Sequence, residues 1–424
     1  MDTPLEIWNA AVTTRPAAVR RCADAKQVSE AVREARAGGL PLSVLGGGHD
    51  WAGRAVRSGG LVVDLRGMRG VEIDGDVATV GGGATAADLI AATVPAGRSA
   101  ATGTVGAVGM AGLTLGGGYG PLSGVAGLAA DNLLGAEVVL ADGSVVTASD
   151  SGEPDLLWAL RGGGGNFGVV TSMRLRLHPI PLVDSGLVIF PLAQAPDVLA
   201  GFEELITGAP DELTVQVGVI STPDGTPVLF LAPTWSGDIA DGAHWVKRIE
   251  HLGRPVMSAV DRVEYGEPLR RGDEMFARDG RHYATRTVNL AALTADTVTA
   301  IVAAGTTRTS PLSALSLHHF HGAATRVPLP ATAFGIRREH FMAEIIASWR
   351  PADGDGAPHR QWADSAADLL GPHALPGGYP NLLTTDHPEQ VAHAYGPNAA
   401  RLTEVKDTYD HDHVFTATPL PPRH

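Results

Sequence analysis

The chain has 424 residues, of which 44% are hydrophobic and 18% are charged, as in folded globular proteins rather than disordered or fibrous ones. Its formal net charge of −14 argues against a nucleic acid or an anionic membrane surface as a partner. Because Cys22 is the single cysteine, an intramolecular disulfide and a cysteine-based metal site are excluded. The length exceeds one ordinary hydrophobic core, so we expect two domains.

The N-terminal sequence MDTPLEIWNAAV lacks the basic and apolar regions of a signal peptide. No run of about 18 apolar residues, the length of a transmembrane helix, occurs in the chain. These two features predict a cytoplasmic protein. The scarcity of lysine beside arginine, alanine and glycine favours a high-GC bacterial source.

The first part of the chain alternates short strands with helices. Residues 24–39 have apolar side chains at helical spacing and end in a glycine pair that would cap the helix. Residues 85–94 form a second predicted helix with Thr85 as its N-cap. Residues 132–149 contain two β-rich runs around an Asp-Gly turn, which predicts a hairpin. Single strands are predicted in residues 40–48, 60–68 and 77–83.

The middle of the chain has a different composition. Glycines crowd between residues 38 and 168 and are scarcer from about 180 to 370, which indicates a boundary. Residues 294–306 and 338–349 show helical spacing and would cover a sheet. Antiparallel strands are predicted in residues 213–221, 226–237 and 313–324. Residues 395–415 resume helical spacing and would dock on one of the domains. The fold class predicted from these patterns is α+β.

Three glycine-rich stretches, GGGH at 46–49, VGMAGLTLGGGYG at 108–120 and RGGGGNFGVV at 161–170, indicate backbone held close to a ligand. The last contains a G-x-G-x-x-G match, but a helix-like segment precedes it and a strand-like segment follows it. A dinucleotide-binding loop has the opposite order, so we reject that interpretation. Glycines still let backbone N–H groups approach the phosphates of a large anionic cofactor.

The stretches LGGGHDWAG, GTVGAVGMAGLTLGGGYGPLSGVAGLAADN and DLLWALRGGGGNFGVVTSMRLRLHP together resemble the berberine bridge enzyme-like FAD-linked oxidases of the vanillyl-alcohol oxidase/p-cresol methylhydroxylase flavoprotein superfamily. The resemblance is close over about residues 5–180 and looser over the final 50 or so. It implies a two-part FAD-binding domain in residues 1–180 and a substrate domain of antiparallel sheet covered by helices in 181–374. Residues 375–424 would return to the FAD-binding domain.

The resemblance also implies a covalent bond between His49 and the methyl carbon on the benzenoid edge of the flavin. Some members add a second bond from a cysteine, but Val105 stands at that position, so we expect FAD to be linked through His49 only. Val108 would lie beside the reactive flavin carbon and leave room for dioxygen. Further cofactor contacts are implied for Gly46, Gly47, Gly48, Asp50, Gly103, Thr104, Gly109, Gly112, Gly117, Gly120, Asp131, Asn132, Gly168, Val170 and Asn381.

The family's C-terminal Tyr-x-Asn-Tyr segment is YPNL here, so Tyr379 and Asn381 match and Leu382 replaces the second tyrosine. Tyr379 is the predicted catalytic base. A phenol with a pKa of about 10 needs nearby positive charge or hydrogen bonds, which Arg337 or His318 would supply.

Two further tyrosines, Tyr119 and Tyr283, are acid/base candidates. On the strand SLHHFH, Leu315 and Leu317 would face covering helices, with Ser316, His318 and Phe320 on the opposite face. The histidines of this strand do not supply a convincing ligand set, so no metal is predicted.

The implied function is an FAD-dependent oxidase. It would take a hydride from a small organic substrate (an alcohol, a sugar or a specialised-metabolite intermediate) and pass the electrons to dioxygen, giving hydrogen peroxide. Two alternatives stay open: a flavin-containing cyclase with no net redox turnover, and a non-enzymatic small-molecule binding protein. Anaerobic bleaching of the flavin by substrate separates the oxidase from both. The sequence leaves the substrate and the oligomeric state open.

Overall fold

A computed structural model describes residues 5–422 of the chain. The N-terminal unit is a parallel sheet in which β3 lies between β1 and β2. Helix α1 is capped by the Asp24 side chain, which accepts from the backbone N–H of Gln27, and it buries Val28 and Val32 against β3. The predicted helix in 24–39 is thereby confirmed. The elements are β1 (Ala18–Arg21), α1 (Ala25–Ala37), β2 (Leu42–Leu45) and β3 (Leu61–Asp64).

The second unit is an antiparallel sheet in the order β4-β5-β9-β7-β8, with β6 paired to β9. Its strands are β4 (Val71–Asp74), β5 (Val77–Gly81), β6 (Ser99–Ala100), β7 (Leu133–Val139), β8 (Val145–Ala148) and β9 (Val169–His178). Its helices are α2 (Ala86–Thr93), α3 (Met110–Leu115), α4 (Ser123–Ala126) and α5 (Pro154–Leu160). The β7–β8 hairpin and the Thr85 N-cap of α2 confirm two predictions.

The third unit is an antiparallel sheet in the order β13-β10-β12-β11-β15-β16-β14-β17. Its strands are β10 (Leu182–Pro191), β11 (Leu213–Ser221), β12 (Pro227–Trp235), β13 (Met257–Glu264), β14 (His282–Leu290), β15 (Ala314–Phe320), β16 (His340–Trp349) and β17 (Ala374–Leu375). The helices of this region are α6 (Ala195–Ile206), α7 (Ile239–Glu250), α8 (Gly266–Met275), α9 (Ala295–Thr306), α10 (Ala323–Arg326) and α11 (Ala357–Leu370).

The helix predicted for residues 338–349 is wrong, because these residues form β16 in the interior of the large sheet. Phe341 and Ile345 pack in the core that α6, α9 and α11 close, while Met342 and Ile346 pack in clusters on the opposite face, toward the glycine-rich half. A strand buried on both faces is a near-continuous apolar run, which periodicity alone does not distinguish from a helix.

The neighbouring strand β15 alternates as predicted. Leu315 and Leu317 pack in the helix-covered core, and Phe320 packs on the other face beside Tyr379. His318 also lies on that other face, where its ring contacts Tyr119. The face of the large sheet that carries these polar and aromatic side chains is therefore the one turned toward the glycine loops.

The C-terminal segment forms α12 (Pro388–His393) and α13 (Ala399–Tyr409). Leu402 of α13 is buried in the core of the second unit. The Lys406 ammonium donates to the Asn166 carbonyl at 2.6 Å. The helix predicted from the spacing of residues 395–415 therefore docks on the glycine-rich half of the protein. Within residues 5–422, no helix combines the length and apolar character that a membrane span requires.

Candidate active site

The first wall of the site is the glycine loop that leads from β2 to His49. Gly48 has a φ of +67°, a left-handed conformation that favours glycine. A Cβ on Gly47 would lie 2.2 Å from the backbone nitrogen of Gly109, so the two glycine loops cross only because neither carries a side chain there. The backbone N–H groups from Gly46 to His49 donate to no described residue. They are therefore available to an anionic group.

His49 lines a cavity beyond this loop, with its ring stacked on Trp8 at a centroid distance of 4.4 Å and an interplanar angle of 15°. The His49 Nε2 atom is buried and has no hydrogen-bond partner among the described residues. Burial, with a smaller contribution from the Arg278 guanidinium, lowers the pKa of His49 to about 3. The ring is therefore neutral near pH 7, and a neutral imidazole is a nucleophile.

The cavity encloses about 1200 Å³ of empty space, including its mouth. Ligand pockets typically occupy about 300–1,000 Å³. A Cβ on Gly112 would meet no atom within 4 Å, so this glycine keeps the wall open. The lining includes these predicted residues: Gly46, Gly47, Gly48, His49, Asp50, Gly103, Thr104, Val108, Gly109, Gly112, Tyr119, Tyr379 and Asn381.

These observations test whether the residues fit FAD. The unpartnered N–H groups of the 46–49 loop suit a pyrophosphate. The unpartnered imidazole nitrogen of His49 suits a covalent or hydrogen-bonded contact. Val105 lines the same cavity with an aliphatic side chain, so this position offers no thiol. The residues fit the cofactor.

The C-terminal segment closes this cavity through Asn381. Its side-chain amide donates to the Gly112 carbonyl at 3.0 Å, and its backbone carbonyl accepts from Arg54 at 2.6 Å. Arg54 also forms an ion pair with Asp50, which follows His49. The predicted contact residues Asp50 and Asn381 therefore meet at Arg54, which the sequence analysis did not single out.

Six predicted cofactor residues are not part of the cavity lining: Gly117, Gly120, Asp131, Asn132, Gly168 and Val170. Asp131 forms a buried ion pair with Arg337 at 2.6 Å. The amide of Asn132 donates to two backbone carbonyls at 2.8 and 2.9 Å. Both side chains have structural partners that account for their burial.

The remaining four of these residues have close packing contacts. Val170 lies in β9 opposite Val138 of β7, and a Cβ on Gly168 would lie 2.5 Å from the Val138 side chain. A Cβ on Gly117 would lie 3.0 Å from Phe334, and one on Gly120 would lie 2.1 Å from a backbone carbonyl. Close packing explains these glycines without a cofactor.

Opposite the glycine loops, a cluster of polar side chains lies under the large sheet. The Tyr119 hydroxyl donates to Glu344 Oε2 at 3.1 Å. The Nε2 atom of His318 lies 3.4 Å from the same carboxylate oxygen. Glu344 belongs to β16 and lines the cavity that also contains His49. The structure therefore brings together Tyr119, His318 and a carboxylate that the sequence analysis missed.

Tyr379 lies beside this cluster, with its ring 5.0 Å from that of Tyr119. Its hydroxyl accepts from the backbone N–H of Gly118 at 2.6 Å. Burial is the largest effect and raises the pKa of Tyr379 well above its ordinary value, despite this hydrogen bond. Burial and the adjacent Glu344 carboxylate raise the pKa of Tyr119 as well. Both phenols therefore stay protonated near neutral pH.

The prediction that a cation activates Tyr379 is wrong. Arg337 is buried in its ion pair with Asp131 and also donates to Thr332 at 2.7 Å. The ring of His318 contacts Tyr119, and its nearest carboxylate is Glu344. Neither of these cations is bonded to the Tyr379 hydroxyl, which accepts from the Gly118 N–H instead. The role of Tyr379 as the base stays a prediction from the sequence.

Tyr283 lies outside the cavity lining. Its ring stacks on Trp8 at 3.7 Å, on which His49 also stacks. Its hydroxyl donates to the Ala277 carbonyl at 3.1 Å, and burial raises its pKa to about 12. These contacts make Tyr283 a support for Trp8, which corrects its assignment as an acid/base candidate.

The sequence did contain a signal for Glu344. In FMAEIIASW it is the single charged residue of an otherwise apolar run, and the adjacent isoleucines favour a strand. In the predicted helix covering the sheet, a single glutamate would have an ordinary place on the solvent side. A lone carboxylate in a buried strand is instead a candidate functional group.

The described residues contain no group of three or more His, Cys, Asp or Glu side chains placed to hold a metal ion. His319 and His321 stack on each other at 4.5 Å. His319 pairs with Glu339 at 2.9 Å. The histidines of the SLHHFH strand therefore have aromatic and carboxylate partners.

Comparison with known proteins identifies the family. Residues 16–149 match an FAD binding domain, and residues 378–419 match a berberine and berberine-like domain. The FAD-linked oxidoreductase OXR1 of Pyricularia oryzae is 30% identical over 435 residues, covering 92% of this chain and 81% of that protein. The chain belongs to the FAD-linked oxidoreductases.

Solved structures of related fold include FAD-linked oxidases. A crystal structure of 6-hydroxy-D-nicotine oxidase from Arthrobacter nicotinovorans has a TM-score of 0.89 and 28% identity, covering 98% of this chain and 94% of that one. Glucooligosaccharide oxidase from Acremonium strictum, described with a 6-S-cysteinyl, 8α-N1-histidyl FAD, has a TM-score of 0.87 and 23% identity over 99% and 94% of the chains. The predicted α+β fold and FAD-linked oxidoreductase class are confirmed.

Proposed function

We propose that this protein is an FAD-dependent oxidase of a small organic alcohol, sugar or specialised-metabolite intermediate, with Glu344 as the proton acceptor. The observation that carries the proposal is the placement of the Glu344 carboxylate. It lies between Tyr119 and His318 on the wall of the cavity that His49 also lines. A carboxylate and a cofactor cradle in one enclosed site suit proton removal coupled to oxidation.

When bound, FAD supplies a two-electron acceptor that dioxygen can reoxidise with release of hydrogen peroxide. The 46–49 loop would hold its phosphates through backbone N–H groups. His49 would hold the flavin covalently, and its neutral ring suits that role. The histidyl FAD described for glucooligosaccharide oxidase supports this linkage. Because Val105 offers no thiol, we propose His49 as the single attachment point.

The other polar groups of the cluster have distinct tasks. Tyr119 donates its O–H to Glu344 and so keeps the carboxylate oriented. Because the pKa of Tyr119 is raised, its phenol remains a donor rather than a competing base. Glu344 retains a second oxygen, which would accept the proton of a substrate hydroxyl or amine. Tyr379, held by the Gly118 N–H, would form the adjacent wall of the substrate site.

The oxidase activities named for the two structural neighbours favour an oxidase over a redox-neutral cyclase. The same proposal includes dioxygen as the electron acceptor and Val108 as the residue that leaves space for it. The cytoplasmic location, the bacterial source and the domain limits at residues 180 and 374 stay predictions from the sequence.

The decisive experiment is anaerobic mixing of the purified holoenzyme with a panel of alcohols, sugars and amines. Bleaching of the flavin absorbance by at least one compound, followed by peroxide release when air is admitted, is the expected result. Product formation without bleaching would instead indicate a cyclase. Binding without product or bleaching would indicate a binding protein.

A further inference from the structure

A second cavity adjoins the candidate active site. It has about 840 Å³ of empty space and shares Thr104, Tyr119 and Phe276 with the cavity that His49 lines. A molecule held in this second cavity would therefore contact Tyr119, whose hydroxyl donates to Glu344. Its position makes it the space for the part of a substrate that does not react.

The wall of the second cavity contains Arg271, a half-buried residue of α8. Its guanidinium donates to the Ser185 hydroxyl at 2.7 Å, and Ser185 lies 3.1 Å from the Thr234 hydroxyl. All three side chains line the cavity. No carboxylate of the described residues lies within 4.0 Å of this guanidinium, so most of its N–H donors are uncommitted.

The acidic neighbours of Arg271 are engaged elsewhere. Glu267 and Glu274, which flank it on α8, both pair with Arg270 on the exposed side of the helix. Asp261 is an exposed residue of β13. These three carboxylates raise the pKa of Arg271, but burial is the larger effect and lowers it. The Arg271 guanidinium thus lines the cavity without a carboxylate partner among the described residues.

The rest of the lining has an apolar part that includes Leu187, Val215, Phe230 and Met275. It also has neutral polar side chains and two histidines, among them Thr214, Gln216, His318 and His319. No Asp or Glu of residues 5–422 lines this cavity. A half-buried cation over an apolar wall suits an anion on an apolar body, because pairing the charge offsets its desolvation. Arginine in particular matches a carboxylate through two parallel hydrogen bonds.

We infer that the substrate is a small carboxylic acid with an apolar body, whose carboxylate pairs with Arg271 while its oxidisable carbon lies at Tyr119 and Glu344. The placement of the oxidisable carbon at Tyr119 and Glu344 rests on the proposed oxidase function. The carboxylate contact itself depends only on the second cavity and can be measured without turnover.

The test compares phenylacetate with phenylacetamide, which differ in charge and little in shape. Isothermal titration calorimetry on the holoenzyme should show phenylacetate binding at least about tenfold more tightly, or about 1.4 kcal/mol. Arg271→Gln should reduce this preference to less than about twofold. Arg270→Gln, the neighbouring exposed arginine, should leave the preference unchanged. Arg271→Lys keeps the charge and should retain part of the preference if Arg271→Gln does not fold.

Three outcomes would overturn the inference: no binding of either compound, equal binding by the native protein, or an undiminished preference in Arg271→Gln. Peroxide release from mandelate and from its methyl ester separates this inference from the proposed function. A carboxylate preference in calorimetry without flavin reduction by any compound would leave the inference standing and remove the oxidase. Oxidation of neutral compounds with no preference for a carboxylate would support the oxidase and remove the inference about Arg271.

Discussion

The substitution Glu344→Gln removes one charge and leaves the shape of the side chain nearly unchanged. The amide oxygen can still accept the Tyr119 hydroxyl, which donates to this position at 3.1 Å. A hydrogen bond to a charged group is worth about 1.5–3 kcal/mol and a neutral one about 0.5–1.5, so the stability lost should be near 1 kcal/mol. An amide cannot accept the substrate proton.

The kinetic effect should therefore exceed the stability effect. Loss of a general base typically slows a reaction by about a hundred- to ten-thousand-fold, which is about 2.7–5.5 kcal/mol of barrier. Rapid mixing without oxygen measures flavin reduction directly, and thermal unfolding measures stability. FAD content should equal that of the native protein, because Glu344 lies across the cavity from the glycine loops.

Glu339→Gln is the matched control. Its carboxylate is 64% exposed and pairs with His319 rather than lining the cavity, so flavin reduction should be unchanged. If reduction by Glu344→Gln stays within about threefold of native, which is under 1 kcal/mol of barrier, Glu344 is not the base.

The cofactor loops and the buried histidines give four further expected results. His49→Ala should bind FAD without a covalent bond, so the acid-precipitated protein should lose its yellow colour. Val108→Leu fills space at the cavity wall and should slow reoxidation by dioxygen much more than reduction, as stopped-flow absorbance would show. Tyr379→Phe removes the acceptor of a buried backbone N–H and should cost about 1–3 kcal/mol of stability, while flavin reduction slows less than about tenfold. Burial lowers the pKa values of His321 and His340 to about 4. The free energy of unfolding should therefore fall as pH drops below about 6.5, by at most about 2 kcal/mol per histidine at pH 5. The reason is that these histidines bind protons in the unfolded state at pH values where they stay neutral in the folded state.

Each of these results has a contrary outcome. Flavin that stays attached in His49→Ala would place the covalent bond elsewhere. His251→Ala, which changes an exposed histidine, is the control for this variant. Equal reoxidation rates in Val108→Leu and the native protein would remove the argument about dioxygen access. Reduction slowed a hundredfold or more, as for a lost base, in Tyr379→Phe would restore Tyr379 as the base. A stability that is flat between about pH 6.5 and 5 would show that the buried histidines do not titrate as inferred.

The sequence alone determined the glycine-rich half of the molecule. Its signals are local: Thr85 caps α2, an Asp-Gly turn joins β7 to β8, and the glycine loop before His49 requires a φ of +67° at Gly48. Such signals depend on backbone conformation within a few residues, so they can be read in one segment at a time. The order of these motifs also sufficed to predict the FAD-binding domain.

The tertiary structure alone decided the chemistry opposite those loops. Tyr119 and Glu344 are far apart in the chain and meet only through the packing of β16 against the glycine-rich half, and α8 brings Arg271 to the adjoining cavity that Tyr119 also lines. Whether β16 is a strand depends on burial on both of its faces, which a sequence pattern does not report. Likewise, only folding pairs Arg337 with the distant Asp131, rather than with Glu339 two residues along the chain or with Tyr379. Long-range packing, rather than local propensity, therefore determines which groups can act on a substrate.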